Sequence, residues 1–550
     1  MNEFINTILD GFKQRRTRVV KPHPLIVDVL IIVALAIYYY VNHPPINIRN
    51  PESYGFLVMI GIALLIIIPG RMNKQEMRDK ARIGVSGLVL LLVVGGVISW
   101  AFTLRIFHAK LYSNRVTVEN VKFSNKTLKE VDFTKTPIID RDSTMKLGDK
   151  VMGEMPELVS QFEVSNEYTQ ISYKGGVYRV TPLEYPGFIK YLNNREGIPA
   201  YIRVNSTTGK TELVKLKSLG LKPMKYVPSA YFGHNLNRKL QIDYPTCNFG
   251  KPSFEIDEKG YPWYICTTYS YYGVGNKKYV NGMVLFDPIT GHSKKYDVGH
   301  FPEWVDRIYP ESLVMQEIDD NGSLKSGYLN SVFSQKNVML TSDGYNYLEK
   351  DGDIWIYSGI TSANNDSSNL GFVLTNLRTH KTIKFSCPGA NEQAAMESAE
   401  GEVKNYGYKA TFPLLVNVNG NPVYLLSLKD NGGLVKKYAM VDARDYQKAS
   451  TYSAASYKNL SKLMKEYLLE TGEESVDQDL QDESIKVKSF TTFIVDGKSK
   501  VYIVDDKDRK FKVEVSSANE NILAFLKTGD TLHITYKKSD NINIIKEILS

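Results

Sequence analysis

Cysteine and catalytic signature motifs are both scarce in this sequence. Only three cysteines occur among 550 residues, so no disulfide framework can hold the fold together, although Cys247 and Cys266 could pair across a hairpin. The chain has no G-x-S-x-G, H-E-x-x-H, phosphate-loop or C-x-x-C pattern. We therefore predict no catalytic, cofactor-binding or metal-binding residues, and a non-enzymatic role is the favoured interpretation.

A strong charge of one sign is absent too. The net charge of +8 is small for 550 residues and does not by itself indicate a nucleic-acid-binding protein. Tyrosine is abundant, with 36 residues, which is typical of β-rich proteins. A chain of this length is too long for one core, so we expect roughly three or four folded units.

What the sequence does contain, at its start, is three long apolar runs. They cover residues 25–41, 55–69 and 83–104. The third is long enough to cross a bilayer core of about 30 Å at about 1.5 Å per residue. The second is short and would need flanking residues such as Tyr54. Since no cleavage site follows the first run, a removable signal peptide fits poorly, and we predict a three-helix membrane anchor.

Basic residues orient this anchor. Five precede the first run: Lys13, Arg15, Arg16, Arg18 and Lys21. Five more separate the second run from the third: Arg71, Lys74, Arg78, Lys80 and Arg82. The loop between the first and second runs has only Arg49. Because positively charged loops stay in the cytoplasm, we expect a cytoplasmic N-terminus and an extracytoplasmic chain from 105 to 550.

Two details of the anchor leave alternatives. If the second run were a re-entrant or buried helix, only two spans would remain and the bulk of the chain would be cytoplasmic. Asp28 is an intramembrane charge, which is a functional hint in general. It lies within a turn of the headgroups, where water can solvate it, so we favour an anchor over a conducting path.

A turn motif recurs three times in the middle of the chain. An apolar residue is followed by Asn or Asp three positions on, by Thr three positions after that, and then directly by Gly or His. The members are Asn205, Thr208, Gly209; Asp287, Thr290, Gly291; and Asn376, Thr379, with His380. The side chains of Asn and Asp can accept hydrogen bonds from the backbone two residues on, and Gly adopts positive φ easily. Each copy of the motif therefore predicts a hairpin turn.

A second pattern, G-x-P-x-Y, opens strands at 197–201, 260–264 and 420–424. Helices are predicted at 185–194, at 302–318 with a break at Pro310, and at 391–404. Helices followed by paired strands, several times over, indicate an α+β arrangement of antiparallel sheets with helices on one face.

Strands ending in D-x-x-T-G after a helix resemble the PepSY module of bacterial envelope proteins. DPITG at 287–291 is the closest match and NSTTG at 205–209 fits well, whereas NLRTH at 376–380 has His380 in place of Gly. The segment after 424 has DNGG at 430–433 instead. The resemblance covers residues 160–450 in pieces and implies binding or restraint of peptidases and other envelope partners.

The end of the chain is predicted to be a separate unit. Residues 470–484 are acidic and almost devoid of apolar side chains, which indicates a solvated linker. Beyond it, three strands, a short helix and two strands follow in the order of an OB-like barrel, which this region resembles. Outside the membrane, a protein-contact or spacer role is favoured over nucleic-acid binding.

These observations divide the chain into seven segments. They are a cytoplasmic tail (1–24), the anchor (25–104), a juxtamembrane strand-rich segment (105–160), two groups of PepSY-like modules (161–300 and 301–469), the linker (470–484) and the barrel (485–550). Cys387 lies in the second group.

We expect a bacterial envelope scaffold that binds protein partners or cell-wall polymer and that self-associates or joins a hetero-oligomer. Trp304, Asp306 and Arg307 form a candidate partner surface. The alternatives are an envelope hydrolase or peptidase regulator, with a cleft near Trp304 and Asp306, and a subunit of a secretion or transport complex.

Overall fold

The computed structural model describes residues 21–363, 368–454, 460, 464, 467–468, 480–495, 498–516, 519–538 and 542–549. Four of the predicted basic residues, Lys13, Arg15, Arg16 and Arg18, therefore lie outside the described residues, as does most of the predicted acidic linker. The chain forms two units, residues 1–123 with 134–391 and residues 124–133 with 392–550.

The first unit begins with three helices that are long and apolar enough to span a membrane: α1 (Leu25–Asn42), α2 (Pro51–Gly70) and α3 (Gln75–Phe102). The prediction of three long apolar helices at the start of the chain is thus confirmed. The α2 helix includes Tyr54, so the short second run gains its length from the residues before it. Small residues let the helices approach closely, since Gly96 of α3 lies directly beneath the ring of Tyr54.

The two ends of the helix bundle have different partners. At one end, the His23 amide donates to the Gly70 carbonyl, with a nitrogen–oxygen distance of 3.1 Å. There Asp28 is buried and pairs with Arg71, and His23 Nε2 lies 3.2 Å from its carboxylate. Asp28 is therefore paired with Arg71 rather than solvated as we expected, because a buried carboxylate needs a charged partner.

At the other end, the helices meet the sheet modules that follow. The Ile46 amide donates to the Pro245 carbonyl at 2.6 Å, and Asn276 Nδ2 donates to the Trp100 carbonyl at 2.7 Å. Arg238 stacks on the ring of Tyr40 with a separation of 4.2 Å. The loop between α1 and α2 and the end of α3 therefore lie at the same end of the bundle.

A juxtamembrane segment connects the anchor to the modules. It contains α4 (Arg105–Ser113) and β1 (Val118–Val121), and it leads to α5 (Arg141–Gly153) and α6 (Pro156–Val159), the helices before the first sheet. The sequence predicted strand from residue 105 onward, but the strand is confined to β1. Residues 105–113 form a helix because Tyr112 and Ser113 pack inward on one side.

The rest of the first unit contains three sheets. The first has β2 (Glu163–Val164), β3 (Thr169–Tyr173), β4 (Gly176–Glu184), then helix α7 (Phe188–Asn193), β5 (Ala200–Asn205) and β6 (Thr211–Lys215). Helix α8 (Leu236–Asp243) precedes the second, β7 (Asn248–Phe249), β8 (Ser253–Ile256), β9 (Pro262–Tyr271), β10 (Lys278–Phe286) and β11 (Ser293–Asp297). Helix α9 (Glu311–Leu324) precedes the third, β12 (Met339–Thr341), β13 (Asn346–Lys350), β14 (Asp353–Ser362), β15 (Ser368–Asn376) and β16 (Thr382–Ala390).

The second unit contains a fourth sheet and a barrel. Helix α10 (Glu392–Glu402) precedes β17 (Lys409–Ala410), β18 (Leu414–Val418), β19 (Asn421–Lys429), β20 (Val435–Asp442) and β21 (Ala449–Ser453). The barrel has β22 (Leu480–Val495), β23 (Lys498–Asp505), β24 (Lys510–Glu514), helix α11 (Glu520–Ala524), β25 (Thr531–Lys537) and β26 (Asn543–Leu549). It closes in the order β22-β23-β24-β26-β25.

All four sheets have the same topology. In each, the first and second strands pair with the third, the third pairs with the fourth and the fourth with the fifth, all antiparallel. We call the helix and its five strands modules 1 to 4, covering residues 141–215, 236–297, 311–390 and 392–453. In module 3, β1 adds a parallel strand to β16. A β-rich region of antiparallel sheets with a five-stranded barrel is therefore confirmed.

Module 2 is the central layer of the first unit. Residues alternate along its strands: Cys266 and Phe286 pack with module 1, whereas Ile265 and Leu285 pack with module 3. Both faces of one sheet are thus buried, as the period of two along a strand allows. All three cysteines are free thiols, and Cys266 is buried in the core with module 1.

Several predicted boundaries of helices, strands and the linker differ from those in the structure. Residues 302–309 are not helical, and α9 begins only after Pro310. The predicted linker residues 480–484 belong to β22, which pairs with β25. The G-x-P-x-Y segments at 260–264 and 420–424 open the third strand of modules 2 and 4, but the one at 197–201 opens the fourth strand of module 1. It is therefore not part of the same repeat.

Candidate functional site

A cavity of about 520 Å³ lies where the third membrane helix meets the sheet modules. The tip of the β9–β10 hairpin forms one wall, and the chain leaving α3 forms another. Asn276 fixes the tip to α3 through the Trp100 carbonyl, and the Gly275 amide donates to the Arg49 carbonyl at 2.9 Å. Gly275 has a φ of +68°, which a glycine adopts without strain at this tight tip.

The lining of the cavity combines basic side chains with apolar and aromatic ones. Every charged residue that lines it is a cation: Arg105, Lys277 and Lys278. The remaining lining residues are Leu104, Ile106, Tyr112, Tyr271, Gly275, Asn276, Gln316 and Tyr328. Such a surface can hold an anionic group next to an apolar one.

Two buried carboxylates of α9 hold these cations in place. Asp320 lies 2.9 Å from Arg105 Nη2 through one oxygen and 3.3 Å from Lys277 Nζ through the other. The buried Arg115 guanidinium contacts both carboxylates, at 3.2 Å from Asp320 and 2.8 Å from Glu317. Asp320 and Glu317 together offset the charges of Arg105, Lys277 and Arg115, and the neighbouring Asp319 also interacts with Lys277. The positive charge that remains in the lining is that of Lys278.

Glu317 connects this network to the third turn motif. His380 Nε2 lies 2.8 Å from Glu317 Oε2, and the His380 ring stacks on Tyr309 with ring centres 4.2 Å apart. His380 has a φ of +64°, a conformation that glycine adopts in the sister turns. These two contacts give a physical reason for histidine at a position that otherwise takes glycine.

Burial changes the proton affinity of the cavity lysine. The Lys277 pKa is lowered to about 8 because burial disfavours the ammonium, while the charge of Asp320 raises it in part. Lys278 lies at the exposed rim with its ammonium 4.4 Å from the centre of the Tyr269 ring. Among the described residues Lys278 has no ion-pair partner.

The predicted turn residues form the expected turns between the fourth and fifth strands of modules 1, 2 and 3. Asn205 Oδ1 accepts from the amides of Thr207 and Thr208 at 3.0 and 2.8 Å. Asp287 and Asn376 accept from the equivalent amides, and Thr208, Thr290 and Thr379 accept from the amide two residues on. Gly209 and Gly291 have φ values of +72° and +78°. The turns lie in the scaffold, away from the cavity lining.

Module 4 has a fourth copy of this turn, which the sequence motif missed. Asp442 Oδ1 accepts from the Arg444 and Asp445 amides at 2.6 and 2.8 Å. The Asp442 amide donates to the Lys448 carbonyl six residues on, whereas Asn205 donates to Lys210, five residues on. This turn is one residue longer than the other three, so it does not have Thr and Gly at the spacing that the motif requires. The DNGG segment proposed in its place joins β19 to β20 instead.

The candidate partner surface is only partly exposed. Asp306 is buried, its Oδ2 accepts from the Ser172 amide at 2.7 Å, and it cannot itself contact a partner. Arg307 forms a bidentate pair with Glu311 at 2.7 and 2.6 Å. Trp304 is half-buried, with its ring 6.2 Å from that of Trp263.

Asp306 has a buried carboxyl neighbour, Glu255. Both Glu255 oxygens accept backbone hydrogen bonds, from the Asp306 and Arg307 amides at 2.9 and 3.0 Å. Burial raises the Glu255 pKa to about 7, and burial together with the nearby Glu255 charge raises the Asp306 pKa as well. Both carboxyls brace the loop before α9 against the sheets of modules 1 and 2.

None of the cavity residues was predicted from the sequence to belong to a functional site. The available signals were the Gly-rich tip followed by Lys277 and Lys278, and the position of Arg105 directly after an apolar run. Neither is specific without the fold, because only the contact between the hairpin and α3 brings them together.

Comparisons with known proteins add no family. The sequence matches no protein-family model and no curated protein. Similar solved structures include a GH32 β-fructofuranosidase of Bombyx mori, at 11% identity over 74% of this chain and 70% of that chain, with a TM-score of 0.17. An exo-β-1,3-galactanase of Phanerochaete chrysosporium matches at 9% identity over 69% and 68%, with a TM-score of 0.15. A variant of the Synechocystis apocarotenoid oxygenase matches at 9% identity over 54% and 50%, with a TM-score of 0.12. At these TM-scores the likenesses carry no argument.

Proposed function

We propose that this protein is a membrane-anchored scaffold of the bacterial envelope, which holds protein partners or cell-wall polymer outside the cytoplasm. The observation that carries the proposal is the fourfold repetition of one sheet module on a three-helix anchor. Repetition multiplies binding surface, whereas a catalytic site requires only one copy.

The proposed orientation has the N-terminus in the cytoplasm and residues 105–550 outside. Two observations support it. The loop between α2 and α3 and the start of α3 are rich in Lys and Arg, which favours a cytoplasmic location. The loop between α1 and α2 contacts the same module as the end of α3, as three crossings require.

The modules are proposed to be PepSY-like and the barrel OB-like. A helix followed by an antiparallel sheet with an Asn- or Asp-capped turn supports the first assignment. The chain order of three strands, a helix and two strands in a closed barrel supports the second. In this proposal the barrel is a protein-contact or spacer domain, and the chain assembles as a homo- or hetero-oligomer.

Orientation is tested by adding protease to sealed spheroplasts that express the full chain with a C-terminal tag. We expect the tag to be lost while a cytoplasmic marker stays intact. A protected tag would refute the orientation and, with it, an extracytoplasmic scaffold.

Partner binding is tested by a photo-crosslinker placed at Trp304 in the full chain, with the same crosslinker at the exposed Leu219, which follows β6, as the positional control. A discrete adduct specific to the Trp304 position is expected. Cleavage of cell-wall or peptide substrates by the purified chain, without any adduct, would favour the hydrolase alternative.

A further inference from the structure

We propose that the cavity between α3 and the β9–β10 hairpin binds the phosphate group of an anionic membrane lipid. The lipid would come from the leaflet on the side of the sheet modules. This inference goes beyond the scaffold role, since it assigns a ligand to a site that partner binding does not use.

The height of the cavity relative to a bilayer supports a lipid ligand. The apolar part of α3, residues 83–102, is about 30 Å long at about 1.5 Å per residue, which equals the hydrocarbon thickness of a bilayer. Trp100 is 48% exposed near the end of this stretch, where aromatic side chains mark the membrane interface. Arg105 follows within about 5 Å of chain, at the level of the phosphate groups.

The charges of the cavity fit a phosphodiester. Arg105 and Lys277 already share Asp320, and Lys278 has no ion-pair partner among the described residues. An anion bound here would give Lys278 the ion-pair partner that it lacks and would lie next to Arg105 and Lys277. Arg and Lys are the side chains that form charge-assisted hydrogen bonds with phosphate oxygens.

The apolar wall distinguishes a lipid from a free phosphate. Leu104 and Ile106 line the cavity, and Ile106 and Phe107 of α4 are 50% and 64% exposed. In the chain these side chains come directly after α3, whose apolar residues such as Phe102 are exposed. A lipid with its headgroup in the cavity could therefore keep its acyl chains in the bilayer, whereas a free phosphate has no apolar group to contact Leu104 and Ile106.

The test uses the full chain in nanodiscs of mixed phosphatidylglycerol and phosphatidylcholine, followed by native mass spectrometry to count retained lipid. We expect selective retention of phosphatidylglycerol. The variant Lys278→Glu should lower this retention about tenfold, as the loss of one hydrogen bond to a charged group predicts. Lys278 is chosen because it is exposed and outside the Asp320 network.

Lys294→Glu is the matched control. Lys294 lies over the Tyr296 ring at 4.8 Å, as Lys278 lies over Tyr269, but it belongs to β11 opposite the far end of β10. We expect it to retain the lipid, and both variants to unfold at the wild-type temperature. Equal retention of the two lipids, or equal loss in both variants, would overturn the proposal. Binding of soluble glycerol phosphate as tightly as the lipid would overturn the lipid assignment.

Discussion

Arg115 offers the sharpest test of how the juxtamembrane segment is held to module 3. Its side chain is 1% exposed and contacts Glu317 and Asp320, which are 3% and 2% exposed. Arg115→Met keeps the length of the side chain but removes the charge. Among the residues that the structure describes, Glu317 would then keep His380 alone, while Asp320 would keep Arg105 and Lys277.

The expected cost follows from burial. Removing one partner of a buried ion pair costs about 3–5 kcal/mol, because the remaining charge stays desolvated. Arg105 provides the contrast within the same network, since its side chain is 42% exposed. In Arg105→Met the buried Asp320 keeps Arg115 and Lys277, and the lost cation is partly exposed to water, so the variant should cost about 1 kcal/mol or less.

Hydrogen exchange of the full chain in detergent micelles measures this difference locally. We expect peptides covering Glu311–Leu324 to exchange about 100-fold faster or more in Arg115→Met, as a loss of about 3 kcal/mol predicts. The same peptides should change by about fivefold at most in Arg105→Met.

Equal exchange rates in both variants would show that the burial of the arginine does not determine how much stability its removal costs. A double-mutant cycle gives a second criterion. Glu317→Gln should cost less in the Arg115→Met background than in the wild type, because the carboxylate has already lost its partner. Additive effects would show that the two side chains do not interact.

Three further predictions concern other charged groups. The raised pKa of Glu255, about 7, means that the folded state keeps a proton that the unfolded state releases above about 4.5, so stability falls as pH rises between these values, by up to about 1.4 kcal/mol per pH unit. Asp306→Asn should make the decline shallower in urea unfolding at several pH values, and an unchanged slope would contradict the coupling. Asp287→Ala should lower the free energy of unfolding by about 2–3 kcal/mol. Asp287→Asn should cost less than about 1 kcal/mol, since Asn caps the sister turns, and similar losses in both would argue against capping. Finally, Lys277 has a pKa of about 8 with Asp319, Asp320, Arg105, Arg115 and Tyr112 around it, so lipid retention should fall as pH rises from 7 to 9 while the phosphodiester keeps its charge. A flat profile would exclude Lys277 as a phosphate ligand.

Local patterns carried much of the architecture. The apolar runs predicted three membrane helices because a helix in lipid satisfies its own backbone and needs only length and hydropathy. The capped turns at Asn205, Asp287 and Asn376 were equally visible, since a turn depends on a few consecutive residues. The strand and helix order of the barrel followed from the same kind of local signal.

Elements that depend on distant partners were the ones that the sequence placed wrongly. Residues 105–113 alternate enough to suggest a strand, yet they form a helix. Its Tyr112 is buried, with the ring 6.4 Å from that of Tyr272 in the β9–β10 hairpin, a partner that no local pattern shows. The fourth turn, at Asp442, escaped the motif because one additional residue changes its spacing, while the strand pairing around it is unchanged.

The sequence by itself determined the membrane anchor, the β-rich repeats and the terminal barrel, because each depends on the periodicity of short segments. Only the tertiary structure decided the candidate site. Arg105, Lys277 and Asp320 are far apart in the chain and meet because the β9–β10 hairpin docks on the end of α3. These charged groups are removed from water by burial, so each is stabilised by its charged neighbours. Those neighbours are distant in the sequence, so no local pattern predicts the cluster.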